Sequence, residues 1–380
     1  MKTVAVITFH NSDNNYGGLL QCYALQKVLQ LNGYNPYVIN YRAVPVINKS
    51  NLKKIFNLRL LIGFLKNKIS LSKGKDSKQT KYNYQRRFDD FRKEHISISK
   101  ESYGNIDELR NNPPEADIYI CGSDQIWNAP NNYISPVYFL NFGDPSVKRI
   151  AYAASFGKDR PNKSTLKTFS NYLSKFNAVF VREKDICELC HSVDRKDAEV
   201  VLDPTLLLDK KYYLDIMDKD CFHDEKYLFA YILNVKSEQD IYWNKLPGYL
   251  SDYGLNIKKT LSNGCEILES IPNQFLTIPQ WLSAISHSSS YITTSFHGVA
   301  LSIVLEKKFL VFLISGELQY GNERIITLLK QLGLENRIYR SDRDFQIQME
   351  AEIDWEQVRQ KLDRLRRKSL DLLIQAMESN

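Results

Sequence analysis

Residues 3–41 read TVAVITFHNSDNNYGGLLQCYALQKVLQLNGYNPYVINY, and the fold follows from how this stretch is parsed. Residues 3–9 form an apolar run of strand length. A polar loop, residues 10–16, leads to Gly17 and Gly18 and then to an apolar helical run over residues 19–31, which Gly33 closes. A second strand is expected over residues 37–41. Strand, helix and strand in that order make a βαβ unit with parallel strands. The alternation continues: strand-length apolar runs recur at residues 118–121, 149–154, 178–182 and 200–202, then at 227–233, 290–294 and 309–313. Strands separated by helical patterns predict an α/β protein built on parallel sheets.

At 380 residues the chain is long enough for two domains. A boundary is expected after Val201, Leu202, Asp203 and Pro204, where a strand ends at proline and a polar stretch of little periodicity, residues 209–225, follows. The predicted organisation is an N-terminal α/β domain over residues 1–205, a second over 206–353, and one amphipathic helix over 354–380. Trp355, Val358, Leu362, Leu365, Leu370 and Leu373 mark the apolar face of that helix.

The formal charge is +7, but residues 49–100 alone hold 15 Lys and Arg against 4 Asp and Glu, a local excess of +11. The rest of the chain sums to −4, so no general nucleic-acid-binding surface is expected. Within a basic helical insert at about residues 45–100, residues 52–69 combine Lys53, Lys54, Arg59, Lys66 and Lys68 with Ile55, Phe56, Leu60, Leu61, Phe64 and Leu65. That pattern predicts either a helix packed on the N-terminal domain or a peripheral contact with an anionic membrane. No run reaches the ~18 apolar residues of a membrane span. Six cysteines in 380 residues do not suggest a disulfide framework, so a cytoplasmic setting is expected, peripheral at the inner face of the membrane if residues 52–69 make the membrane contact.

The strongest site signal is Ser295-Phe296-His297-Gly298, between the strand at 290–294 and the helical run 299–305. Open α/β folds bind ligands at such junctions, where unpaired amides and the helix dipole favour an anion. Ser295 is a natural N-cap, and His297 falls in the first turn, placed to exchange a proton with whatever the amides hold. Arg182, at the end of another strand, and Arg324, in Asn322-Glu323-Arg324-Ile325, supply guanidinium forks for phosphate or carboxylate. No basic residue lies between Lys308 and Arg324.

Together these residues resemble the polysaccharide pyruvyl transferase family along nearly the full chain. The resemblance is carried in order by Thr8-Phe9-His10 through Asn15-Tyr16-Gly17-Gly18, by Leu20-Gln21-Cys22-Tyr23-Ala24-Leu25, by Cys121-Gly122-Ser123-Asp124-Gln125-Ile126-Trp127-Asn128 and by Ala151-Tyr152-Ala153-Ala154-Ser155-Phe156-Gly157. Val181-Arg182-Glu183, Val201-Leu202-Asp203-Pro204-Thr205, Ser295-Phe296-His297-Gly298 and Asn322-Glu323-Arg324-Ile325 complete it. Residues 45–100 carry no match. The resemblance implies two Rossmann-like domains facing a cleft, as in GT-B glycosyltransferases, with a C-terminal helix crossing back. It implies phosphoenolpyruvate (PEP) as donor and a sugar, free or lipid-linked, as acceptor of a pyruvate ketal in surface polysaccharide biosynthesis. No metal or organic cofactor is implied.

Under that reading His297 is the acid or the phosphate contact. Arg182 and Arg324 take phosphate and carboxylate in either order, and Ser295 and Gly298 complete the PEP site. The acceptor is expected on the N-terminal half, against His10, Asn15, Gly17, Ser123, Gln125, Trp127 and Asn128, with Trp127 stacking on a sugar face and Asp124 as base. The stretch from Gly122 to Asn128 reads equally as a structural loop with Trp127 in the core. Two other functions stay open: a GT-B-type glycosyltransferase using a nucleotide-sugar, and a non-catalytic partner in polysaccharide assembly. Cys187-Glu188-Leu189-Cys190-His191 has the form of a haem or zinc motif but continues a helical pattern, so two cysteines on a helix are expected. No GxGxxG, P-loop or GxSxG motif occurs.

Overall fold

The structure, a computed structural model, describes residues 1–43, 86–157, 159–223, 226–235, 237–261, 267 and 270–379. Most of the basic insert, including residues 52–69, lies outside the described residues. No described helix is long and apolar enough to cross a membrane.

Two parallel sheets organise the chain. The first contains β1 (Thr3–Ile7), β2 (Asn35–Tyr41), β3 (Ile98–Tyr103), β4 (Ile118–Cys121), β5 (Lys148–Ala154), β6 (Ala178–Val181) and β7 (Glu199–Val200), in the order β3-β2-β1-β4-β5-β6-β7. The second contains β8 (Tyr227–Ile232), β9 (Asn256–Leu261), β10 (Ser290–Thr293) and β11 (Phe309–Val311), in the order β11-β10-β8-β9. The first six strands follow the Rossmann order, with β7 added at one edge. The last strand of the first sheet ends at Val200 and the first strand of the second begins at Tyr227.

β1 and β8 are buried along nearly their whole length, as central parallel strands must be, and so read clearly as apolar runs. β3 and β9 did not. β3 is an edge strand of sequence ISKESY, mostly half-buried or exposed. β9 is NIKKTL, whose Lys259 is buried with Nζ donating to Ile267 O at 2.9 Å. The polar stretch after the boundary likewise contains a helix, Lys210–Ile216, whose Tyr213 is fully buried.

Six helices matter for the site: α1 (Tyr16–Leu31), α2 (Lys184–Ser192), α3 (Pro204–Leu207), α4 (Phe296–Val304), α5 (Glu323–Leu332) and α6 (Trp355–Glu378). One continuous apolar core joins the halves, containing residues of α1, α3, α4, α5 and α6. Tyr16 pins the start of α1 to the second half: its ring stacks on Trp281 at 5.0 Å and its hydroxyl donates to Leu276 O at 2.6 Å. α6 crosses back to the first sheet. Leu373, Ala376 and Met377 share the core with Ile150, Tyr152 and Phe180, Ser369 Oγ accepts from Leu202 N at 3.0 Å, and Lys148 Nζ donates to Met377 O at 3.3 Å.

Candidate active site between the two sheets

In each sheet the strand order reverses beside its first strand, and such switch points open a crevice outside the carboxyl ends of the strands. The first lies between β1 and β4, the second between β8 and β10. Loops from both meet in a cleft of about 470 Å³. The first half contributes Asn14 and Asn15 after β1, Gln125 and Asn128 after β4, and Gly157 after β5. The second contributes Asn234 after β8, Ser295 and His297 after β10, and Arg324 beyond β11.

Ser295 caps α4, its Oγ accepting from Gly298 N at 3.3 Å. The other first-turn amides of a helix have no partner within it, so this end of α4 suits an anion. A β-carbon at Gly298 would lie 2.6 Å from Thr293 Oγ1 and 2.7 Å from Tyr291 Oη. Glycine is therefore needed to seat α4 on its own strand; Gly298 does not line the cleft.

His297 lines the cleft, yet its Nε2 is buried without a hydrogen-bond partner, 3.7 Å from Asp203 Oδ2. Asp203 is the hub of a buried network. Its Oδ2 accepts from Arg182 Nη1 at 2.8 Å and Ser123 Oγ at 2.9 Å; its Oδ1 accepts from Thr205 N at 2.9 Å and Thr205 Oγ1 at 2.7 Å. Burial alone would raise the Asp203 carboxyl. The neighbouring His297, Arg182 and Thr205 more than offset that and hold it well below the usual carboxylate range.

The two arginines are not equivalent. Arg182 is buried and already paired, with Nη1 on Asp203 and Nη2 on Asp124 Oδ1 at 3.3 Å. Arg324 faces the cleft and meets the first half there: with the Gln125 amide oxygen turned toward it, that oxygen accepts from Nη1 at 2.6 Å and Nη2 at 3.0 Å. Both guanidinium groups lie over the Phe296 ring, at 4.9 Å for Arg182 and 5.6 Å for Arg324. Asp124 is opposed by burial but lowered overall by Arg182, His297 and Arg324, so it is ionised and a weak base. Glu183, next in sequence to Arg182, goes the other way. Burial raises its carboxyl despite Arg182, and Ser155 Oγ donates to Oε1 at 2.5 Å.

On the first half the structure separates the residues expected to meet an acceptor. Asn15, Gln125 and Asn128 line the cleft, as does Asp124. Asn15 also caps α1, accepting from Gly18 N at 2.9 Å. Ser123 is fully buried and serves Asp203. His10 is buried beside Thr8 O, where desolvation lowers its pKa, and it does not line the cleft. Trp127 is 1% exposed, stacked on Phe139 at 4.9 Å among Phe156, Phe169 and Phe176, so it has no face open to a sugar. An aromatic residue in a loop does not declare in sequence which way it points; here the core took it. Gly17 faces His297 and belongs to the histidine's packing.

Asp203, Asn14, Asn234 and Gly157 were not assigned roles from sequence. The available signal for Asp203 was its place directly after the apolar run 200–202, much as Arg182 directly follows β6. Cys187 and Cys190 are buried on α2, where desolvation pushes both thiols up, Cys190 to about 12. Among the described residues no three His, Cys, Asp or Glu side chains are grouped to hold a metal ion.

Residues 15–316 match the family model described as polysaccharide pyruvyl transferase. No curated protein matches the chain. Among solved structures, one described as a UDP-N-acetylglucosamine 2-epimerase from Listeria monocytogenes aligns with a TM-score of 0.51 at 9% identity, covering 99% of this chain and 96% of that one. The UDP-GlcNAc 2-epimerase from Neisseria meningitidis bound to UDP-GlcNAc gives 0.49 at 10% identity, with 100% of each chain covered. An alpha-glucosyltransferase in complex with UDP gives 0.48 at 11% identity, covering 99% and 96%. At such identity the likeness concerns fold alone, and the Listeria structure supports two Rossmann-like domains facing a cleft.

Proposed function

The chain belongs to the polysaccharide pyruvyl transferase family, and from that premise we propose that it transfers pyruvate from PEP to two hydroxyls of a sugar, forming a ketal and releasing phosphate. The observation that carries this reading is the meeting of a Ser295-capped helix end, His297 and the Arg324 fork on one cleft. PEP presents a phosphate and a carboxylate, which suit a helix N-terminus and a planar guanidinium.

In the proposed reaction His297 gives a proton to the methylene carbon of PEP, and the adjacent carbon becomes electron-deficient. One sugar hydroxyl adds there and loses its proton; the C–O bond to phosphate breaks, the phosphate leaving with the electron pair, and the second hydroxyl closes the ketal as it loses its proton. Of the two hydroxyl protons, one restores His297 and the other leaves with phosphate. Arg324 holds the donor. Arg182 acts through Asp203, Asp124 and Phe296, being already paired. Asn15, Gln125 and Asn128 orient the acceptor, and Asp124 accepts a hydrogen bond from a reacting hydroxyl. The chemistry calls for no organic cofactor or metal. Residues 52–69 bring the enzyme to a lipid-linked acceptor at an anionic membrane face.

The test is phosphate release from PEP that requires an acceptor diol and is lost in His297→Ala. Turnover of a nucleotide-sugar with no response to PEP overturns the proposal in favour of a glycosyltransferase. Neither activity, with no rise in melting temperature from either donor, points to a non-catalytic partner. Co-sedimentation with anionic vesicles at low salt tests the membrane contact.

A further inference from the structure

Asp203 receives four hydrogen bonds from the first half of the chain and its own turn, yet it also faces His297 of the second. It is fully buried, and Arg182, Ser123 and Thr205 fix it from three directions. The carboxylate therefore has one orientation. His297 Nε2 is buried 3.7 Å from it and has no other partner. The remaining ring nitrogen, Nδ1, is the only one through which the imidazole can exchange a proton with the cleft it lines. Gly17, having no side chain, leaves that edge of the ring uncovered: a β-carbon there would lie 2.0 Å from Nδ1.

We infer that Asp203 is a positioning residue that holds His297 with Nε2–H toward its carboxylate, so that Nδ1 is the atom presented to the substrate. A fixed anion beside one ring nitrogen selects the tautomer with the proton on that nitrogen. Active-site hydrogen bonds are often long in the empty enzyme and shorten in the complex, which accords with the 3.7 Å separation. The inference rests on the proposed role of His297, but the orientation it describes exists without substrate.

The experiment joins ¹⁵N-histidine NMR to kinetics on the full chain, with the His297 signals assigned by their loss in His297→Gln. In the wild type the neutral ring should carry its proton on Nε2; a proton on Nδ1 overturns the inference, and this arm needs no variant of Asp203. Asp203→Asn replaces the acceptor with a group able to donate to Nε2. In the folded variant the tautomer should invert and kcat should fall at least a hundredfold, with the KM for PEP within threefold of wild type. A folded Asp203→Asn enzyme with kcat within threefold of wild type overturns the positioning role. Wild-type protein that does not turn over PEP overturns the proposed function instead, and the tautomer measurement still decides the orientation.

Discussion

Gly17 and His297 share one space: a β-carbon on Gly17 would lie 2.0 Å from His297 Nδ1 and 2.3 Å from its Cγ. The first turn of α1, from one half, thus packs face to face with the first turn of α4, from the other. Only glycine permits that approach, because the atoms met belong to a stiff ring at the site itself.

Gly17→Ala should therefore displace His297. Alanine favours a helix interior by about 1 kcal/mol over glycine, while overpacking costs about 1–3 kcal/mol. The net loss of stability should be at most about 2 kcal/mol. Activity should fall at least tenfold, and thermal melting beside steady-state kinetics separates the two effects. A variant with wild-type kcat would show that the ring has room to move.

Arg182 and Arg324 should fail in different ways. Arg182→Ala strands two buried carboxylates, Asp203 and Asp124, and breaking a buried ion pair costs about 3–5 kcal/mol. Urea unfolding should register that loss. Arg324→Ala removes a cleft-facing fork, and a lost charge-assisted contact of about 1.5–3 kcal/mol corresponds to a rise in the KM for PEP of roughly tenfold to a hundredfold. Its unfolding midpoint should stay near that of wild type.

Gln125 spans the cleft to hold the Arg324 fork through both terminal nitrogens. Gln125→Glu would place an anion on that fork in competition with the donor, raising the KM for PEP about tenfold. Gln125→Ala should alter it by less than threefold. Equal effects of the two changes would remove the competition and leave Gln125 as an acceptor contact only.

Stability should respond to pH in two opposite senses. Asp203 and Asp124 are held below the ordinary 3.8, so their stabilisation is present above that value and lost as pH falls through and below it. Glu183 is raised above 4.5, so its contribution is present below 4.5 and lost as pH rises through its folded value. Glu183→Gln keeps an acceptor for Ser155 and removes the second slope. Urea midpoints of Glu183→Gln and wild type should diverge in favour of the variant as pH rises above 4.5, then run parallel. Curves parallel throughout would place the Glu183 charge outside the stability of the fold.

How much was legible depended on how local each feature is. The β10–α4 junction could be read because Ser295, His297 and the apolar run after them lie within one turn of each other. The central strands could be read because burial on both faces makes them uniformly apolar. β3 escaped because an edge strand keeps polar residues, and β9 because Lys258 and Lys259 interrupt its pattern. In the site, His297 and Arg324 face the cleft, while of the residues expected against an acceptor only some do: Trp127 and Ser123 share a loop with Gln125 and Asn128 yet point inward. The role of Asp203 was hidden because its partners Ser123, Arg182 and His297 meet only after both sheets are built.

Because α6 covers β5 and binds Leu202 N, the half of the molecule made first is completed only after the second has been made. On a ribosome the strands before Asp203 emerge well ahead of residues 355–378, which close their exposed face. Domains usually fold in order of synthesis; here the first remains uncapped until residues 355–378 have been made. A chain stopped before residue 355 would thus yield both sheets but leave the strand leading into Asp203 without its brace, and the damage would surface at the candidate site rather than at the break.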